Sequence, residues 1–242
     1  MRILGPYAQG TGMETLMASK SDRHPTELAR LQGARLVSAT ETEEGRSWAE
    51  SRIKMMSGED TITARYMRCD FFDYWPRFKL VISGNHKPSL RTVDIAIRRR
   101  LHILPFTVTI PSDERDPLLK EKLRAEWPGI LQWAIDGCVE WQRQGLNPPT
   151  LVRDATESYF ADEDAVGRWM LERCELGANY WTASSALFGD WKEWAERAGE
   201  EVGSQKNFSQ VLLGREGIKK HDYGSKRGFD GIRFNERLMR EE

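Results

Sequence analysis

The chain has 242 residues, 39% hydrophobic and 30% charged, with nine Trp, which is enough for one large or two small folded domains and too apolar for wholesale disorder. Its formal charge of −1 removes an overall basic surplus as a reason to bind nucleic acid, so any such binding has to come from local patches. No run approaches the ~18 apolar residues of a membrane span, Met1–Pro6 does not read as a secretory leader, and three separated cysteines, Cys69, Cys138 and Cys174, exclude a disulfide framework or a paired-cysteine zinc site, so a reduced, cytoplasmic chain with no membrane partner is expected.

Residues 1–33 are polar and mixed. Within them, Gly5 to Gly12 begins with the Gly-x4-Gly spacing of a phosphate-binding loop. Thr11 and Gly12 stand where Lys and Ser or Thr are needed to meet phosphates and magnesium. The segment therefore reads as a plain loop with no buried strand before it. Lys20 to Leu28 looks like a loop feeding a short helix, since Pro25 suits a first turn. Leu36-Val37-Ser38-Ala39 is a short apolar run, as a buried strand would be, and it stops at Thr40-Glu41-Thr42-Glu43-Glu44-Gly45.

Trp48 to Met56 reads as a helix closed by Ser57-Gly58. Two strands follow, over 61–67 and 77–83, with Arg68-Cys69-Asp70 as a hairpin tip between them. The second ends in Gly84-Asn85-His86-Lys87-Pro88, a strong loop signal. A third β-like run, Leu101 to Val108, comes after Arg98-Arg99-Arg100. Residues 116–145 turn helical, with Ile130, Leu131, Ala134, Ile135, Cys138 and Val139 on an apolar face and Gly145 at the end. Asn147-Pro148-Pro149-Thr150 suits a linker. Helical patterns cover about 151–176 and 183–198, with a short helix near 207–213. Lys219 to Phe234 has the glycines and alternation of a hairpin.

Four constellations carry possible chemistry. Acids after a buried strand, Glu41 and Glu43, can hold magnesium and orient an attacking water, or simply solvate the strand end and cap the next helix. Asn85 after the strand 79–83 can bond a phosphate or a lytic water, or serve as a turn residue. An arginine of Arg98-Arg99-Arg100 can stabilise charge in phosphoryl transfer, or sit in a solvated basic turn. Lys54, Arg65, Tyr66 and Arg68 place cations beside an aromatic ring, which suits a nucleic-acid backbone or an ordinary exposed hairpin.

The order of these pieces resembles the superfamily 3 helicases of the phage and plasmid primase–helicase type, related to the poxvirus primase–helicase. The resemblance runs from about Ala18 to Trp141. It implies an α/β fold, with a partial AAA+-like helicase core over 1–110 and a helical extension over 111–147. A linker over 148–162 and a C-terminal winged-helix (α+β) domain over 163–242 would follow. On this resemblance Glu41 is the Walker B acid and magnesium ligand, with Glu43 as runner-up. Thr40 stands where many relatives carry a first acid. Lys54, Gly58, Asp60 and Arg65 match the motif that builds a DNA-contacting hairpin, and Asn85 matches the sensor. Arg99 or Arg100 matches an arginine finger that reaches a neighbouring subunit's ATP site, which implies a ring, usually a hexamer.

ATP and Mg2+ are the cofactors of the full-length family. There the Walker A loop and a primase domain lie upstream, so the chain reads as a C-terminal portion. No Gly-x4-Gly-Lys-Ser/Thr occurs in the sequence, and little or no ATP turnover is expected from this chain alone. A helicase core lacking a neighbouring strand should also expose apolar surface.

The last unit resembles the family's winged-helix tail, with Phe208 to Leu213 followed by a basic wing. Lys219, Lys220, Lys226 and Arg227 cluster around glycines, where a hairpin can follow a phosphate backbone. Trp181, Trp191 and Trp194 are expected in the core. The expected partners are single-stranded DNA in the ring, duplex or origin DNA at the winged helix, and further subunits. Two other readings stay open: a non-catalytic DNA-binding or ring-docking module, and a remnant with neither activity.

Overall fold

The structure is a computed structural model that describes residues 1–19, 25–40, 45–58, 60–90 and 93–235. It is mixed α/β, with helices beside small sheets, and divides into two compact units. One is Met1–Arg91 with Arg99–Thr156, the other Thr92–Arg98 with Glu157–Glu242. The first unit holds β1 (Ala8–Gly10), α1 (Thr26–Ala29), β2 (Leu36–Thr40), α2 (Glu50–Met56), β3 (Ile62–Ala64), β4 (Phe72–Tyr74) and β5 (Lys79–Ser83). The second begins with α3 (Ile95–Arg98). Returning to the first, α4 is Leu119–Ala125 and α5 is Trp127–Gln144, and α6 (Thr150–Glu163) carries the chain across into the second unit. The second then continues with α7 (Ala165–Arg173), β6 (Cys174–Ala183), α8 (Ser184–Ala198), α9 (Gln205–Leu213), β7 (Lys219–Tyr223) and β8 (Lys226–Phe234).

In the first unit, β1, β2 and β5 form a parallel sheet in that order. Val37 and Ala39 are buried and alternate with half-buried Leu36 and Ser38, the period of two that makes β2 a strand. β1 corrects the reading of Gly5–Gly12 as a plain loop. A loop pattern hid it because the strand is only three residues long and follows a short 3-10 stretch, Arg2–Tyr7, that is kinked at Gly5, whose φ is +53°. The hairpin also differs from expectation. β3 pairs antiparallel with β4, not with 77–83, and β5 instead pairs parallel with β2. The tip at Arg68–Asp70 stands, with Arg68 at a left-handed φ of 60°.

Three hydrogen bonds fix the hairpin's root to α1. The Tyr74 and Tyr66 hydroxyls donate to the Leu28 and Ala29 carbonyls at 2.6 and 3.1 Å, and Thr26 Oγ1 donates to the Arg65 carbonyl at 3.1 Å. Burial, and the neighbouring Tyr66, push the Tyr74 phenol up to about 12. A folded value above the unfolded one means its contribution to stability is whole below pH ~10 and lost as pH rises through 12.

The run Leu101–Val108 is not a strand. Pro105 removes a donor, the Ile103 N–H donates to the Thr156 side chain at 2.9 Å and not to a strand, and Phe106 stands 94% exposed. Helices form over 119–125 and 127–144, yet no residue between 99 and 149 is buried. Residues 148–162, expected as a linker, are mostly helical, because Pro149 suits a first turn and Thr150–Glu163 continues it.

In the second unit, the helix expected over 151–176 breaks at Asp164. Its carboxylate caps α7 by accepting from the Gly167 N–H at 2.9 Å and is held by both guanidinium arms of Arg215. The chain then leaves the helix at Cys174 and runs as β6. The expected hairpin thus becomes a three-stranded antiparallel sheet in the order β6-β8-β7. The strand was hidden by Gly177 and by a register shift between Leu176 and Trp181.

On α8, Leu187, Trp191, Trp194 and Ala195 recur at helical spacing. They meet Trp169 of α7, Phe208 and Leu212 of α9, and Phe229 and Ile232 of β8 in one core. Trp191 and Trp194 are buried as expected, whereas Trp181 is half-buried and stands outside that core. No described helix is long and apolar enough to cross a membrane.

Candidate nucleic-acid interface

α9 is built to show one face. Ser204 caps it by accepting from the Asn207 N–H at 3.2 Å. Phe208 and Leu212 turn inward to the core. Gln205, Lys206, Ser209, Gln210 and Leu213 then share the opposite side, where they face the β7–β8 hairpin. The hairpin turns tightly at Gly224-Ser225, with Tyr223 opposite Lys226. Gly224 has φ +59°, which the first position of a type II′ turn requires.

The register sorts the basic side chains by face. Lys220 lies opposite Phe229 and Asp222 opposite Arg227, and directly paired residues share a face. Phe229 points to the core, so Lys220 and Arg227 share its face on the helix side, with Asp222 beside Arg227 toward the hairpin tip. Lys219 pairs with Asp230 and belongs to the other face. Lys226 borders the space from the hairpin tip.

Together α9, the start of α8 and the hairpin enclose an open groove of about 1060 Å³. Its described lining includes Lys206, Lys220, Lys226 and Arg227 and no carboxylate-bearing residue. A groove with cations on both walls and hydroxyl and amide groups at its base attracts an anionic polymer and can hydrogen-bond to it. Three of the four basic residues expected at the wing meet here and Lys219 does not. Lys206 was missed from sequence, although its place one residue into a capped helix beside Ser209 and Gln210 was readable.

The first unit places the other candidates separately. Thr40 pairs with Ser83 at the ends of β2 and β5, so the segments leading to Glu41 and Asn85 leave the same edge of the sheet. Asn85 is exposed in the following turn. Glu41 and Glu43 lie outside the described residues, as do residues 20–24, where a loop is expected from the sequence. Among the described residues, no cluster of three His, Cys, Asp or Glu side chains could hold a metal.

Lys54 lies in the last turn of α2, half-buried. Gly58 follows, where a Cβ would lie 2.7 Å from the Lys54 carbonyl. The space such a side chain would enter is bordered by the Arg100 guanidinium and the Asp60 carboxylate, 3.7 and 3.8 Å away. Arg99 is exposed. Arg98 is structural: it pairs with Glu157 at 2.8 Å and lies over the Phe160 ring at 4.9 Å.

On the β3–β4 hairpin, Arg65 stacks over Phe71 at 4.6 Å and Tyr66 on Phe72 at 5.8 Å. Arg68 projects at the tip. Burial, then the Asp190 charge, push the Cys174 thiol up to about 12, and a protonated thiol is a poor nucleophile.

No protein-family model matches the chain. The chain is similar to a protein of Frog virus 3 (isolate Goorha) named "Putative helicase 022R", with 24% identity over 216 residues. The match covers 80% of this chain and 22% of the viral protein, so the chain spans about a fifth of that relative's length.

Proposed function

We propose that the chain is a helicase-like protein whose second unit is a winged-helix module that binds duplex DNA through the basic groove. The groove is the observation that carries this reading: four cations and, among the described residues that line it, no carboxylate, between a polar helix face and a hairpin. The element order α7-β6-α8-α9-β7-β8, with the sheet order β6-β8-β7, supports the winged-helix assignment. The similarity to the viral protein with a helicase name supports the helicase part.

In the same reading the first unit is a partial AAA+-like core. The parallel pairing that brings the ends of β2 and β5 together favours it. In a complete ring, ATP with Mg2+ would supply the energy of phosphoryl transfer. Glu41, or Glu43, would orient water, Asn85 would contact the γ-phosphate, and Arg99 or Arg100 would serve a neighbouring site. The β3–β4 hairpin, with Lys54 at its base, would follow single-stranded DNA. This chain carries no lysine-bearing phosphate loop of its own, so ATP hydrolysis by the purified chain would overturn that part.

The test of the groove is anisotropy of a labelled duplex at two salt concentrations. With about three phosphates neutralised, affinity should fall roughly 40-fold between 50 and 200 mM salt. Lys220→Ala with Arg227→Ala should weaken binding about tenfold or more and flatten that dependence. Undiminished binding in the double variant sinks the groove as the contact.

A second reading, a module that docks into a ring or onto its own copies, is favoured by the exposed apolar residues Leu104, Phe106, Val108 and Trp133. Light scattering across a concentration series should then show self-association, reduced by Phe106→Asp with Trp133→Asp. A monomer at every concentration removes it.

A further inference from the structure

The β6-β8-β7 sheet has two faces, and the groove uses only one. On the other, Trp181, His221 and Tyr223 come together around Gly228. The Trp181 and Tyr223 rings meet edge to face, with centroids 5.3 Å apart. His221 lies 4.5 Å from Tyr223. Trp181 Nε1 donates to the His221 carbonyl at 3.0 Å. Gly228 makes this possible, since a Cβ there would collide with the indole, so the ring packs close against the strand and is held by the His221 carbonyl and the Tyr223 ring of β7. Tyr223 remains 58% exposed at the hairpin end. Lys219 and Lys226 share this face by register, and Asp230, its described carboxylate, is engaged by His221 Nδ1 at 2.7 Å.

We infer that this outer face of the hairpin is a second nucleic-acid site, a stacking platform for one or two unpaired bases whose phosphates are met by Lys219 and Lys226. Three physical points favour that ligand. Aromatic rings held by packing stack on bases at little entropic cost, and every base offers a π-face only when it is unpaired. The face is a sheet surface with no groove to receive a duplex. Its rings are flanked by lysines, which the centres of protein-docking patches lack. The two sites share only Lys226, at the hairpin tip; Lys220 and Arg227 of the groove lie on the opposite face from Lys219 and Tyr223.

The test uses the full chain with fluorescent 12-mers of oligo(dT) and oligo(rU), beside the same duplex as above. Tyr223→Ala should weaken binding of the single strands about tenfold, the loss of one stacked base, and change duplex binding less than twofold. Tyr223→Trp should restore it. Lys219→Ala should weaken single-strand binding and flatten its salt dependence. The groove double variant should do the reverse, losing duplex and keeping single strands.

Because Tyr223 is exposed, the alanine variant should melt like wild type. Equal affinity for the two oligonucleotides marks stacking that ignores the sugar, and a preference for either assigns DNA or RNA as the ligand. Single-strand affinity unchanged by Tyr223→Ala overturns the proposal. So does equal loss on duplex and single strand, or no binding of oligonucleotides at 50 mM salt. In the last case the face is left to a protein partner.

Discussion

Trp169→Ala should destabilise the second unit by about 5 kcal/mol and abolish groove binding. Trp169 is fully buried at the centre of that unit. It meets Trp191 and Phe208 edge to face, at 6.1 and 5.4 Å, so it joins α7 to both α8 and α9. Removing a buried Trp side chain costs about 3–5 kcal/mol when the cavity cannot collapse. A cage of rings on three helices collapses poorly. The indole N–H also donates to Asp190 at 2.6 Å, and a carboxylate that loses its buried partner adds about 1–3 kcal/mol.

Since α9 is placed by this core, its polar face loses its position relative to the hairpin. Hydrogen exchange followed by mass spectrometry reads each unit separately. Peptides from 165–234 should lose protection while those from 26–83 keep theirs. Trp169→Phe keeps a ring and loses the hydrogen bond, and should cost about 2 kcal/mol. Wild-type protection over 165–234 in the alanine variant contradicts the account.

Much of the second unit was legible because its helices obey a simple rule. Trp191 and Trp194 recur at the spacing of a buried helix face, and both are in the core. The rule failed where two periods ran together. The helical pattern expected over 151–176 runs past Arg173 into the start of the strand at Cys174. The strand there is irregular, shifting register between Leu176 and Trp181, so no clean alternation announced it. Trp181 was expected in the core by association with Trp191 and Trp194, which recur at helical spacing. Its true setting depends on Gly228, 47 positions away, which lets its ring pack close against the strand. A contact of that separation is invisible to local pattern.

The first unit shows the opposite failure. Leu101–Val108 has the residue types of a strand, yet a strand also needs a partner with free backbone groups. Among the described residues it pairs with none, and local propensity without a ladder does not make a strand. The hairpin tip at Arg68 was readable from turn chemistry. Its partner strand Phe72–Tyr74 was not, because three residues are too few to show alternation.

For the candidate interface, the sequence located the hairpin's cations but not which face each takes. That assignment needs the register, and one residue of slip exchanges the faces. Lys219 and Lys220 are adjacent in sequence and lie on opposite sides of the sheet.

Gly231→Ala should cost about 4 kcal/mol and displace the hairpin from α9. Phe229 and Ile232 both enter the core, although three residues of regular strand would send them to opposite faces. The chain manages this at Gly231, where φ is +91°, a conformation that costs an L-residue about 1–2 kcal/mol. A methyl there would also drive into the Gly217 carbonyl, a backbone group with no rotamer to yield, and overpacking of that kind adds about 1–3 kcal/mol.

The carbonyl belongs to the turn just before Ile218, itself in the core, so the strain passes to the start of β7 and to Lys220. Gly224→Ala is the control. Its φ is +59° but nothing lies within 4 Å of the added atom, and a loss of about 1 kcal/mol is expected. Thermal melts of the two variants, with duplex anisotropy on each, separate the effects. The Gly224 variant should bind duplex like wild type, and the Gly231 variant should lose binding at temperatures where the first unit is still folded. Equal stability of the two variants would mean that the kink at Gly231 does not set the position of the hairpin.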